Sequence, residues 1–140
     1  MAIIVRILSV LGLTVLVSCT TVPQTEPCQS PEACLMSGLM VQGMAPSIGE
    51  DFGGGVTLSN VQAAGALVVF DLKLPIGGAG LETVQKRILH DVASQGFVNG
   101  FCGQASGEAD VFQFGNAYQI RTVGSDGIVI GASTLRSCGG

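Results

Sequence analysis

The chain has 140 residues, 47% of them hydrophobic and only 11% charged, with a formal net charge of −4. That length holds one modest domain and not two. The acidic balance leaves no basic patch, which excludes nucleic acid as an expected partner and gives no attraction to anionic lipid heads.

The N-terminus opens on an uncharged apolar run, Ile7 to Val17, preceded by Arg6. A positive start followed by a short apolar stretch is the layout of a secretory signal. The stretch after Arg6 is short for a membrane span, which needs roughly 20 apolar residues. The run closes on Leu16-Val17-Ser18-Cys19. Leu16, the small residue Ser18 and Cys19 match the Leu-x-(small)-Cys pattern in place, and this junction resembles the lipobox of bacterial lipoproteins. The resemblance covers the signal and the junction and stops there. It implies lipidation of Cys19, cleavage before it, and membrane lipid as a partner through Cys19. Several acyl chains anchor stably where one does not, each buried CH₂ adding about 0.8 kcal/mol. Thr20, where an Asp would mark inner-membrane retention in proteobacterial lipoproteins, implies the outer membrane, with the domain facing the periplasm. The alternatives are an ordinary signal peptide cut nearby, with Cys19 incidental, and an uncleaved anchor.

There are five cysteines. With Cys19 set aside, Cys28, Cys34, Cys102 and Cys138 remain, and an even remainder in an exported chain reads as two disulfides with three possible pairings. Cys28–Cys34 and Cys102–Cys138 are the expected pairs, because each lies within one local region.

Residues 20–30 are polar and Pro-rich, as an extended tether is. Ser30-Pro31-Glu32 then offers an N-cap, a first-turn proline and a first-turn acid. A short helix is expected over 31–42, ended by Gly43 and Pro46, with Leu35, Met36, Leu39 and Met40 on one stripe. Met36, Met40 and Met44 recur every four residues. A thioether Cu(I) site, joined by Cys34, is one reading; a flexible apolar face against the body or a partner is the plainer one. Residues 45–55 read as a Gly-rich loop.

The folded body is expected over 56–140, after a signal over 1–18 and a lipidated, Pro/Gly-rich segment over 19–55. Val56–Leu58 and Val61-Gln62 suggest an irregular strand. Ala66–Leu74 is the clearest strand: Val68, Phe70, Leu72 and Leu74 alternate with Asp71 and Lys73, so one face is buried and the other partly wet. Ile76–Gly80 is a Gly-rich link to a helix. It lacks the Gly-Lys-Ser/Thr and the third glycine of the phosphate-binding patterns, so it reads as a flexible connection.

The main helix is expected over 81–95, with Gly96 as its C-cap. Leu81, Val84, Ile88 and Val92 form its inner face with Leu89 beside them, while Glu82, Lys86, Arg87, His90 and Asp91 point to solvent. Gly96–Gly103 reads as a frayed turn that prolongs the helix and delivers Cys102. A strand is expected over 110–114, with Phe112 and Phe114 facing in. Ala117–Val123 and Ile128–Thr134 form a hairpin around Asp126-Gly127, with Ile120, Ile128 and Ile130 filling one face.

No catalytic set emerges. Zinc and nucleophile-elbow motifs are absent. A Cys102/His90 dyad conflicts with the expected disulfide, Glu108 and Asp110 are two carboxylates on a loop edge, and Tyr118 adds nothing specific. No cofactor or metal is expected.

The fold class expected is α+β: a small antiparallel sheet of three or four strands, one main helix packed on one face, preceded by a tether and a short helix. The function expected is a non-enzymatic envelope lipoprotein, acting as an accessory, assembly or binding module for an envelope protein partner. A small-ligand-binding lipoprotein and an envelope enzyme of another type are the alternatives.

Overall fold

The structure is a computed structural model, and it describes residues 25–103 and 112–138. The elements run α1 (Pro31–Met44), a 3₁₀ turn (Ala45–Ser47), β1 (Thr57–Ala64), β2 (Leu67–Lys73), α2 (Thr83–Gly103), β3 (Ala117–Val123) and β4 (Val129–Leu135). Four strands make one sheet in the order β1-β2-β3-β4, and both helices pack on the same face of it. The class is α+β.

The sheet is mixed, and this corrects the antiparallel expectation. β1 pairs β2 and β3 pairs β4 antiparallel, but β2 and β3 run parallel, with Phe70 beside Ile120. The cause is α2. A crossover helix carries the chain back along the sheet, so the next strand starts where β2 started and runs the same way. A bulge between Leu58 and Asn60 makes β1 irregular.

α1 starts where its cap dictates: Ser30 Oγ accepts from the Ala33 N–H at 3.3 Å, and Pro31 occupies the first turn. It runs through Gly43 to Met44, beyond its expected end. Ala33 and Ser37 are its buried residues, and their small side chains let the helix lie close to the sheet. Asn116, just before β3, holds them: its Nδ2 donates to Ala33 O at 2.8 Å and to Ser37 Oγ at 2.9 Å.

Gly65 turns the β1–β2 hairpin with φ +65°, a conformation that favours glycine. A Cβ there would lie 1.7 Å from Glu26 O, because residue 26 bridges to Gly65. Arg136 pairs with the Glu26 carboxylate as well. The chain leading to α1 is therefore pinned to the sheet from residue 26 onward.

β2 departs from the half-wet expectation. Val68, Phe70 and Leu72 face the helices, while Leu67 and Val69 on the opposite face are equally buried. Asp71 is buried too. Arg121 from β3 meets it in a two-point pair, Nε–Oδ1 at 2.6 Å and Nη2–Oδ2 at 2.8 Å. A buried carboxylate is tolerated when its charge is matched in this way.

α2 differs most from its expected form. It continues through Gly96 to Gly103, and its inner face is Leu89, His90, Ala93, Ser94, Phe97, Val98 and Phe101. Val84, Ile88 and Val92, expected inside, are 53%, 56% and 70% exposed. The extra turns explain the rotation. Phe97 and Phe101 offer far more apolar area than the valines, at about 1.5–3 kcal/mol per fully buried ring, and they set which side of the helix faces the sheet. Phe97 lies 5.1 Å from Phe70 between ring centroids, and Phe101 lies 5.2 Å from Tyr118.

Residues 112–114 form a turn and not a strand, although Phe112 still packs edge-on against Tyr118 at 5.1 Å; residues 110 and 111 lie outside the described residues. In the β3–β4 hairpin Ile120 and Ile130 are buried, but Ile128 sits in the turn and is exposed. The Gly-rich link after β2 is held rigidly to this turn. Asp126 accepts from the Gly78 and Ala79 N–H groups, each at 2.9 Å. Those amides form the kind of cradle that holds phosphate elsewhere, and here the chain's own carboxylate fills it. The same contacts hold the Asp126 carboxyl below its ordinary range.

Candidate functional site: a groove between the two helices

α1 and α2 lie side by side on the sheet without closing over it. Between them runs an apolar groove with a cavity volume of about 710 Å³. Leu72, Phe97 and Phe101 form its floor, Met40 and Met44 one wall, Val92 and Ala93 the other, and Phe52 and Glu50 one end. Phe52 meets Phe97 edge-on at 6.0 Å. A smaller hollow lined by Leu74, Ile76, Leu89 and Val92 adjoins it. The exposed stripe Val84, Ile88 and Val92 leads into the groove from α2, and exposed Leu35 and Leu39 lie on the outer side of α1.

Three helical glycines line the groove: Gly43 of α1, and Gly96 and Gly100 of α2. A Cβ at any of them would meet nothing within 4 Å. Glycine inside a helix costs about 1 kcal/mol relative to alanine. Nothing within the described residues needs these positions bare, so the open space they leave is available to something from outside. The signal lay in the sequence as Gly96-x-x-x-Gly100, a spacing that lets another backbone approach a helix closely, but it is legible only once α2 is known to continue past residue 96.

The other candidate residues divide clearly. Met36, Met40 and Met44 pack against the core cluster, and Met40 and Met44 also face the groove. Cys34 is bonded to Cys28 and offers no thiolate to a metal. Cys102 is bonded to Cys138, which removes it from any dyad with His90. Both pairs have Cα atoms 5.6 Å apart. Among the described residues, no three His, Cys, Asp or Glu side chains gather as a metal site would require. Cys19, Glu108 and Asp110 lie outside the described residues.

His90 departs from its expected place on the solvent face: it is buried between α2 and the β3–β4 pair, with Nδ1 2.8 Å from Thr122 Oγ1. The rotation of α2 carries it inward. Burial pushes its pKa below 6.5, against the opposing pull of Asp91. It does not line the groove.

No helix among the described residues is long and apolar enough to cross a membrane. No protein-family model matches the chain. Nor does any curated protein. Solved structures do share its fold. The type II secretion system pilotin AspS from Vibrio cholerae aligns with a TM-score of 0.53 at 16% identity, covering 74% of this chain and 88% of that one. A Pseudomonas aeruginosa protein described as secreted aligns with a TM-score of 0.56 at 7% identity, over 74% and 88% of the two chains. The type 2 secretion system pilotin EpsS from Vibrio vulnificus gives a TM-score of 0.47 at 16% identity, over 74% and 84%. At these identities the likeness is one of fold, and the chain shares its mixed-sheet α+β architecture with a pilotin.

Proposed function

We propose that this chain is an envelope lipoprotein of pilotin type, a non-enzymatic accessory that assists the assembly of another envelope component. Cys19 carries its lipid, the tether before residue 26 links lipid to body, and the domain faces the periplasm from the outer membrane. The groove between α1 and α2 holds an apolar α-helical segment of the partner. The observation that carries this reading is the trio Gly43, Gly96 and Gly100, bare positions on the facing walls of an apolar groove. Small residues at such positions let helix backbones approach closely, and an amphipathic helix laid in a groove is a recurring recognition mode. The fold shared with a pilotin supports the functional class.

Affinity purification from the detergent-solubilised envelope of the native host tests it, with the wild-type chain compared with a Gly96→Leu/Gly100→Leu variant. A Cβ at either position meets nothing within 4 Å, so the added side chains enter open space in the groove. The wild type should recover one outer-membrane protein reproducibly and the variant should not; equal recovery by both sinks the groove reading. Intact mass of the purified chain should equal residues 19–140 plus acyl chains.

A small apolar ligand in the same groove is the second reading. The volume of about 710 Å³ favours it, since ligand pockets commonly enclose about 300–1,000 Å³. Co-purified lipid extracted from the wild type and absent from the leucine variant would select it.

A further inference from the structure

His90 is the one histidine of the chain, and its site is built around the neutral ring. Nδ1 lies 2.8 Å from Thr122 Oγ1 on β3. Nε2 is buried and has no hydrogen-bond partner among the described residues. On β4, a Cβ at Gly131 would sit 2.6 Å from the His90 Cγ, so the ring occupies the space that a side chain at 131 would fill. A neutral imidazole needs one donor and one acceptor site, and Thr122 satisfies one nitrogen while the other is left as a bare lone pair or N–H. An imidazolium has two N–H donors. Its Nε2–H would be a charged donor without an acceptor, a costly group to bury.

We propose that His90 is an acid-sensitive latch, and that its protonation releases the middle of α2 from β3 and β4.

Burial, and not the neighbouring charges, sets the preference for the neutral ring. On α2, Asp91 pulls the other way and is outweighed by burial, while Lys86 and Arg87 stand on the preceding turn and Glu82 just before the helix. On β3 the neighbouring Arg121 is on the opposite face of the sheet, committed to Asp71. β4 contributes no titratable side chain, and Asp126 in the turn is engaged by the Gly78 and Ala79 amides. Among the described residues, no carboxylate reaches Nε2 to welcome the proton. Burial therefore sets the direction, and the folded chain prefers the neutral ring. A folded-state pKa below the ordinary 6.5 means that the latch is fully closed above about pH 6.5 and opens as pH falls through the lower folded value.

Val92, Ala93, Gly96 and Gly100, just beyond the latch on α2, line one wall of the groove. Release of α2 would loosen that wall and free whatever it holds. This consequence rests on the reading of the groove given above; the latch itself does not.

Hydrogen exchange of the detergent-solubilised full chain tests the latch without any ligand. Exchange at the 90–98 amides is compared with the β2 amides as internal reference between about pH 7.5 and pH 5, while the His90 ring is followed by NMR. The ring should titrate below 6.5. The α2 amides should open up to about tenfold faster, relative to β2, for each pH unit between the two pKa values. His90→Asn keeps a polar atom near the Nδ1 position without titrating, and should abolish the acceleration. A ring that titrates at or above 6.5 overturns the proposal. So does α2 exchange that stays level with β2 while the ring titrates. Should His90→Asn fail to fold, these two wild-type readings decide alone. A latch that works in a chain whose leucine-filled groove still binds its partner would leave the latch standing and the groove reading fallen.

Discussion

Asn116 Nδ2 lies 2.9 Å from Ser37 Oγ, and that bond joins the start of β3 to the buried side of α1 across 79 positions of sequence. The same nitrogen also meets Ala33 O and Ala66 O, at 2.8 and 3.3 Å. One buried amide thus fixes α1, and with it the methionine wall of the groove, to the sheet.

Asn116→Ala is expected to leave two buried carbonyls and a hydroxyl without this donor. Unmet buried groups cost about 1–3 kcal/mol. Urea unfolding should show a loss of that order, and limited proteolysis should cut α1 before the sheet.

Gly131→Ala is expected to destabilise by overpacking, by about 1–3 kcal/mol, because its Cβ would press on the His90 ring. Gly96→Ala has the opposite expected sign. A Cβ there meets nothing within 4 Å, so the variant should gain about 1 kcal/mol of helix propensity. Urea midpoints of the two variants check the contrast.

The disulfides are expected to differ in weight. Cys102–Cys138 closes a loop of 36 residues and Cys28–Cys34 one of 6. On the chain-entropy model the first contributes about 4 kcal/mol and the second about 2. Paired Cys→Ser variants, one pair at a time, should show the larger fall in Tm for Cys102/Cys138.

Asp126 is expected to make the link–turn contact acid-labile. Its folded pKa is depressed by the Gly78 and Ala79 amides, so its contribution is present above the ordinary carboxylate pKa and is lost as pH falls through the lower folded value. Asp126→Asn should lower Tm at neutral pH and flatten the acid limb of a Tm-against-pH profile.

These expectations show which parts of the molecule local sequence encodes. The Ser30-Pro31 start of α1, the alternation of β2 and the Asp126-Gly127 turn are local signals, and each element formed where its residues direct. The orientation of α2 is not local. Val84, Ile88 and Val92 make a clean apolar stripe within 81–95, yet Phe97 and Phe101, beyond a glycine that reads as a helix end, outweigh it. The position of His90 follows from that rotation, and so does the glycine-lined wall. The parallel β2–β3 pairing depends in turn on α2 acting as a crossover, which strand patterning alone does not reveal. The stripe left outside, Val84, Ile88 and Val92, is exposed apolar surface that reaches the groove at Val92.

Site-specific photocrosslinking in the cell envelope reads out what occupies the groove between α1 and α2. A photoreactive residue is placed at Gly96, on the groove wall, and separately at Lys73, an exposed position at the end of β2 outside the groove. One dominant adduct is expected from position 96, with an outer-membrane protein, its crosslinked peptide drawn from an amphipathic helical segment, and no such adduct from position 73. Equal adducts from both positions, or none from position 96 while the partner still co-purifies, would contradict the groove reading.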